Sequence, residues 1–103
     1  MAQIVKQWHV YMIRCSDNML YTWIAKNVEF RILQHNAGNA SKYTRARKPV
    51  TLVYQEPARN HGAALSREKE IKEMTREKKI HLAVSFLKKH SIERFMKISP
   101  QPL

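Results

Sequence analysis

Two short runs rich in β-formers stand near the start of the chain, Trp8–Arg14 (WHVYMIR) and Leu20–Ile24 (LYTWI). The turn signal Ser16-Asp17-Asn18 separates them. Strands this close in sequence pair as an antiparallel hairpin. The pattern then becomes helical, with Val28, Ile32 and Leu33 at helical spacing. Asn27 suits the N-cap, Glu29 favours the first turn, and Gly38 suits the stop, so a helix is predicted over about 28–37. Residues 39–49 (NASKYTRARKP) read as a basic loop, and Val50–Tyr54 (VTLVY) as a third strand. A polar connection follows over 56–61, and a helix over 63–74 with Ala64, Leu65, Ile71 and Met74 as its apolar stripe. Thr75 can cap another helix, in which Ile80, Ala83, Val84 and Leu87 fit one face. The end carries Phe95, Met96 and Ile98, then Ser-Pro-Gln-Pro, and is expected to add one short packed turn before fraying.

The order β-β-α-β-α-α predicts an α+β domain, a small three-stranded antiparallel sheet flanked by helices. The chain has 103 residues, the size of one domain. We expect that domain to span 1–90, with 91–103 as an extension that is partly packed and then flexible. Cys15 is the single cysteine, which excludes an intrachain disulfide framework. No stretch is long and apolar enough to cross a bilayer, and the start lacks the apolar core of a secretory signal. These features point to the cytoplasm.

Charge narrows the function. The formal net charge is +11, which favours a polyanionic partner, and nucleic acid is the commonest one. A membrane surface would call for a lipidation signal or a basic amphipathic helix, and we find no such signal. From Phe30 to Gln55 there is no Asp or Glu, while Arg31, Lys42, Arg45, Arg47 and Lys48 all fall there. The helical stretch from Ala63 to Lys79 is mixed instead, with Glu68, Glu70, Glu73 and Glu77 among its cations.

Several residues could carry chemistry. Tyr11 and Tyr21 share one face of the hairpin if the connecting loop is odd in length. Arg31 and His35 lie four apart on one helix face. Arginine offers a planar two-donor fork to phosphate, and histidine can move a proton near neutral pH. Glu68 falls within or beside the apolar stripe of its helix, where a carboxylate needs a metal, a functional role or an ion pair. The histidines and Cys15 show no zinc-type spacing, and there is no Gly-rich phosphate loop.

Taken in order, VYMIRCSDNMLYT at 10–22, VEFRILQHNAG at 28–38, KYTRARKPVTLVY at 42–54 and ALSREKEIKEMTREKK at 64–79 resemble the GIY-YIG nucleases, especially their small stand-alone bacterial members. The resemblance covers about residues 8–87. It implies a three-stranded antiparallel sheet with flanking helices and hydrolysis of phosphodiester bonds with one divalent metal. Tyr11 and Tyr21 match the two signature tyrosines, one of which is thought to help activate the attacking water. Arg31 matches the arginine that steadies the phosphate, and His35 the residue one turn on. Glu68 matches the metal-binding glutamate. A hard oxygen site of that kind suits Mg²⁺ or Mn²⁺.

The chain departs from the pattern in one consequential place. Trp23 stands where the second signature ends in glycine, and it should project beside Tyr21. An indole there could block the site or stack on a base. Val10 and Ala25 are lesser departures. Three functions follow: a structure-selective DNA endonuclease of the kind used in DNA repair, a nucleic-acid-binding module with weakened or lost cleavage, or a basic adaptor that uses the fold as a scaffold for protein. The sequence itself does not indicate a protein partner. The expected binding surface comprises Lys42, Tyr43, Arg45, Arg47 and Lys48, with Lys72, Arg76 and Trp23 beside it. Contacts to phosphate position without reading sequence. Replacing Arg45 or Arg47 by Ala should therefore weaken binding to every DNA sequence alike and reduce its salt dependence, measured by titrations at several salt concentrations.

Overall fold

The computed structural model describes residues 7–98, with side chains described through His90. The elements are β1 (His9–Arg14), β2 (Leu20–Ala25), α1 (Val28–Asn36), α2 (Lys42–Arg45), β3 (Thr51–Pro57), α3 (His61–Lys72) and α4 (Arg76–Ile98). The sheet is antiparallel with β1 in the middle, in the order β2-β1-β3. This is the expected α+β arrangement, with one addition. The basic loop contains a single helical turn, α2, begun by Ser41, whose hydroxyl accepts from the Tyr43 amide at 3.0 Å. The expected caps form: Asn27 accepts from the Phe30 amide at 3.0 Å, and Thr75 from that of Lys78 at 3.2 Å. Gly38 takes a positive φ of 82° just past α1, a conformation that costs glycine little.

The hairpin loop runs over 15–19, an odd length, and the register pairs Tyr11 with Trp23 and Ile13 with Tyr21. These four residues share one sheet face. There Tyr11, Ile13 and Cys15 pack with Val28 and Ile32 of α1. The opposite face is closed by the other helices. Val10 packs with Ala64 and Ile71 of α3, and Met12 with Val53 of β3 and Ala83 of α4. A register shift opposite Met12 and Ile13 inserts one extra residue into β3. Both Val53 and Tyr54 then reach the face covered by α3 and α4. The start of β3 is fixed to the end of α1 by one side chain. The Asn36 amide accepts from the Val50 N–H at 2.6 Å and donates to the Val50 carbonyl at 3.1 Å.

The structure corrects the predicted stripes. Leu33 is 67% exposed, and the inward position on α1 belongs to His35. On α3, Leu65 is exposed while Ala64 and Ile71 are fully buried. On α4, Ile80, Val84 and Leu87 are exposed, whereas Ala83 is buried with Leu82 packed beside it. The other predicted residues of α1 and α3, Val28, Ile32, Ala64, Ile71 and Met74, do pack in the core, so each of these helices loses one leucine from its expected stripe. Strand β3 ends at Pro57 and so takes up part of the expected polar connection. The expected separate turn after residue 90 is instead the continuation of α4, unbroken to Ile98. The Ser-Pro-Gln-Pro end, 99–102, lies outside the described residues. No helix among the described residues is long and apolar enough to cross a membrane.

Ile71 ties α3 to the sheet with no exposed surface. Ile71→Ala should cost about 2–5 kcal/mol, read as a lower midpoint with unchanged slope in urea unfolding.

Candidate active site

The hairpin register brings Tyr11 beneath α1, where His35 meets it. The Tyr11 hydroxyl lies 3.1 Å from His35 Nε2, and His35 Nδ1 lies 3.0 Å from Thr44 Oγ1. Thr44 in turn donates to the Ser41 carbonyl at 3.2 Å. A hydroxyl has one proton to give, so Thr44 must accept from His35. Nδ1 therefore carries the imidazole proton, and Nε2 accepts from the tyrosine hydroxyl. Both Tyr11 and His35 are buried. Burial lowers the His35 pKa, and the neighbouring Arg31 lowers it further. The ring is neutral at neutral pH, as its role as acceptor requires.

Arg31 lies one turn before His35 and donates to Gln34 Oε1 at 2.6 Å. Burial raises the Tyr11 pKa, hydrogen bonding and charge from Arg31 pull it back down, and the charge of Glu68 raises it. Three of the residues singled out in the sequence thus act on the one phenol. Glu68 reaches the site from α3, with its side chain only 15% exposed and a 3.4 Å ion pair to Lys72. Tyr21 stands on the neighbouring strand.

Trp23 is set among these groups. Its ring stacks on Tyr21 at 5.6 Å between centroids and on His35 at 4.8 Å, with interplanar angles of 15° and 24°. It also touches Tyr11, at 6.4 Å. The predicted position beside Tyr21 is the one found.

The basic residues are less uniform. Lys42, Tyr43 and Arg45 form α2, and Tyr43 is 59% exposed. Lys48 follows on the surface. Three arginines already have protein acceptors. Arg45 donates to the Gly38 carbonyl at 3.3 Å, Arg76 to that of Asn18 at 3.0 Å, and Arg47 to Asp17 at 2.8 Å. A second network was not legible in the sequence: Arg67 bridges Glu56 and Glu70, each at 3.0 Å, and Tyr54 donates to Glu56. It joins β3 to α3 on the side away from α1.

Among the described residues, no three His, Cys, Asp or Glu side chains gather into a metal cage. A divalent metal still fits Glu68. Mg²⁺ keeps several waters and takes one or two carboxylates together with substrate phosphates. A sheltered single carboxylate is the protein share of such a site, and Lys72, half exposed, is free to leave it.

Comparison with known proteins assigns the family. The profile of the GIY-YIG catalytic domain matches residues 7–81. The chain belongs to the GIY-YIG family. UPF0213 proteins of Staphylococcus aureus strains N315 and COL are each 52% identical to it over 73 residues, covering 71% of this chain and 89% of theirs. The solution structure of a UPF0213 protein from Bacillus halodurans is 36% identical and superposes with a TM-score of 0.52, covering 92% of this chain and 99% of that one. The GIY-YIG domain marks a nuclease family, acting on nucleic acid and generally using a divalent metal.

Sequence reasoning missed Thr44, Ser41 and Gln34. Thr44 meets His35 across a loop, which no local pattern reveals, whereas the Arg31–Gln34 pair at i, i+3 and the Ser41 cap had local signatures.

The His35 environment has a measurable consequence. An unfolded imidazole titrates near pH 6.5, and the folded one resists protonation to lower pH. On acidification the unfolded chain takes up a proton first. The contribution of this site is whole above that value and is lost as pH falls through the folded pKa. Thermal melts from about pH 7 to about pH 5 should show a steeper fall for the native protein than for His35→Gln.

Proposed function

We propose that this GIY-YIG protein is a metal-dependent endonuclease that hydrolyses phosphodiester bonds in DNA and selects by structure rather than by sequence. The observation that carries the reading is the convergence of His35, Arg31 and Glu68 on the Tyr11 phenol. Tyr11, Tyr21, Arg31, His35 and Glu68 form the catalytic set. Arg31, with its planar donors, holds the phosphate. Glu68 would hold Mg²⁺ or Mn²⁺, which supplies charge stabilisation at the phosphoryl oxygens. Lys42, Tyr43, Arg45, Arg47, Lys48, Lys72 and Arg76 provide the surrounding basic surface. Such a protein would act in the cytoplasm on damaged or branched DNA.

The proton path follows from the hydrogen-bond direction. Ordinary phenol and imidazole pKa values differ by about 3.5 units, or roughly 5 kcal/mol. Burial widens that gap from both sides. The resting pair is therefore neutral Tyr11 and neutral His35. The phenol proton passes to Nε2 only as the phenol oxygen takes one from the attacking water. Arg31 lowers the cost by stabilising the developing phenolate.

One observation favours a second reading. Tyr11 is fully buried, and Trp23 lies against it. The indole must move before water and phosphate reach the phenol. On that account the protein binds nucleic acid and cuts it slowly or not at all.

Incubation with nicked, flapped and branched DNA plus Mg²⁺ or Mn²⁺ tests both. The nuclease reading expects cleavage that Glu68→Ala abolishes and Trp23→Gly accelerates about tenfold, equivalent to about 1.4 kcal/mol of barrier. Cleavage by Trp23→Gly alone selects the second reading. Silence from both proteins on all three DNAs overturns the endonuclease.

A further inference from the structure

A pocket of about 290 Å³ opens beside the catalytic set, between the outer edge of β2, α2 and the start of α4. Tyr21, Trp23 and Tyr43 give it aromatic walls, and Lys72 and Lys79 line it with positive charge. Among the described residues no carboxylate lines it.

These features describe one kind of ligand. Aromatic walls call for a flat ring and the lysines for an anion. A nucleotide has both. The volume lies near the lower end for small-ligand pockets, about 300 Å³, which admits one base and no paired duplex. The open stacking face belongs to Tyr43, because Trp23 is already engaged by Tyr21 and His35. The Tyr21 and Tyr43 rings lie 6.3 Å apart, so a base on Tyr43 sits directly beside the catalytic tyrosine.

We propose that this pocket holds a single unpaired nucleobase of the DNA strand next to the scissile phosphate, stacked on Tyr43 with its phosphate at Lys72 and Lys79. Lys72 can serve once it leaves Glu68, its present partner at 3.4 Å. The proposal rests on the nuclease reading and adds its substrate class, DNA with an unstacked nucleotide at the cut. Extruding a base costs least where it is already unpaired, so the pocket makes the protein prefer bulges and flaps over continuous duplex.

The test is binding in EDTA, where cleavage is silent, to a short DNA duplex with one unpaired 2-aminopurine. The comparison is the same duplex with that base paired to thymine, and free deoxyadenosine monophosphate is the competitor. Stacking of one base should make the unpaired probe bind about tenfold tighter. Its fluorescence should be quenched on binding. Tyr43→Ala should erase the preference and the quenching, and Tyr43→Phe should keep both. Tyr43 is largely exposed, so both variants should match the native circular dichroism and melting temperature. Equal affinity for the two probes, indifference to Tyr43→Ala, or displacement of the quenched probe by micromolar free nucleotide would overturn the pocket assignment. Those results leave DNA binding intact. Failure to bind either probe overturns the nucleic-acid reading itself.

Discussion

The hydrogen-bond chain from Tyr11 through His35 to Thr44 joins three separate elements of the fold. Tyr11 belongs to the central strand, His35 to α1 and Thr44 to α2. Each group is buried, so each bond must be made or its desolvation left uncompensated, at about 1–3 kcal/mol per orphaned group. The short α2 could not hold a fixed place by its own helical hydrogen bonds, because one turn does not repay its nucleation. The chain fixes it there, and with it Tyr43 and the basic residues around it. The network that orders these buried groups also orders the basic surface around α2.

Electrostatic crowding of the same region is partly relieved within the fold. The acid-free stretch from Phe30 to Gln55 would repel itself if every cation stood free. Asp17, from the hairpin turn, reaches Arg47, while Arg45 and Arg76 use carbonyl oxygens. The ion pair is exposed and individually weak. Its larger effect is geometric, since it brings the turn against the loop. The Ser16 amide also donates to the Arg47 carbonyl at 2.9 Å.

Much of the site was legible in the sequence because its members sit at regular spacing on regular elements. Tyr11, Tyr21 and Trp23 follow the two-residue period of strands, and Arg31 and His35 the four-residue step of a helix. Glu68 announced itself as a carboxylate on an inward face. The helix faces were less legible. Of the predicted stripes the core takes Val28, Ala64, Ile71 and Ala83 and leaves out Leu33, Leu65, Ile80 and Val84, while His35, outside the stripe of α1, is buried. A single small sheet has room for one narrow stripe per helix, and hydrophobicity alone does not say which. The Thr44 relay and the Arg67 bridge to Glu56 were hidden because each links residues distant in sequence.

The Asn36 side chain behaves toward Val50 as a neighbouring peptide group would, giving and taking one hydrogen bond. It extends the logic of a sheet beyond the last strand, with a side chain in the place of a backbone. The chemical tolerance of that position is correspondingly narrow. Aspartate matches its shape but has no proton to give when ionised, leucine can neither give nor take, and glutamine carries the right group one methylene too far. Exposed to solvent yet bonded twice to the start of β3, this residue puts a core-like demand on a surface-facing helix end.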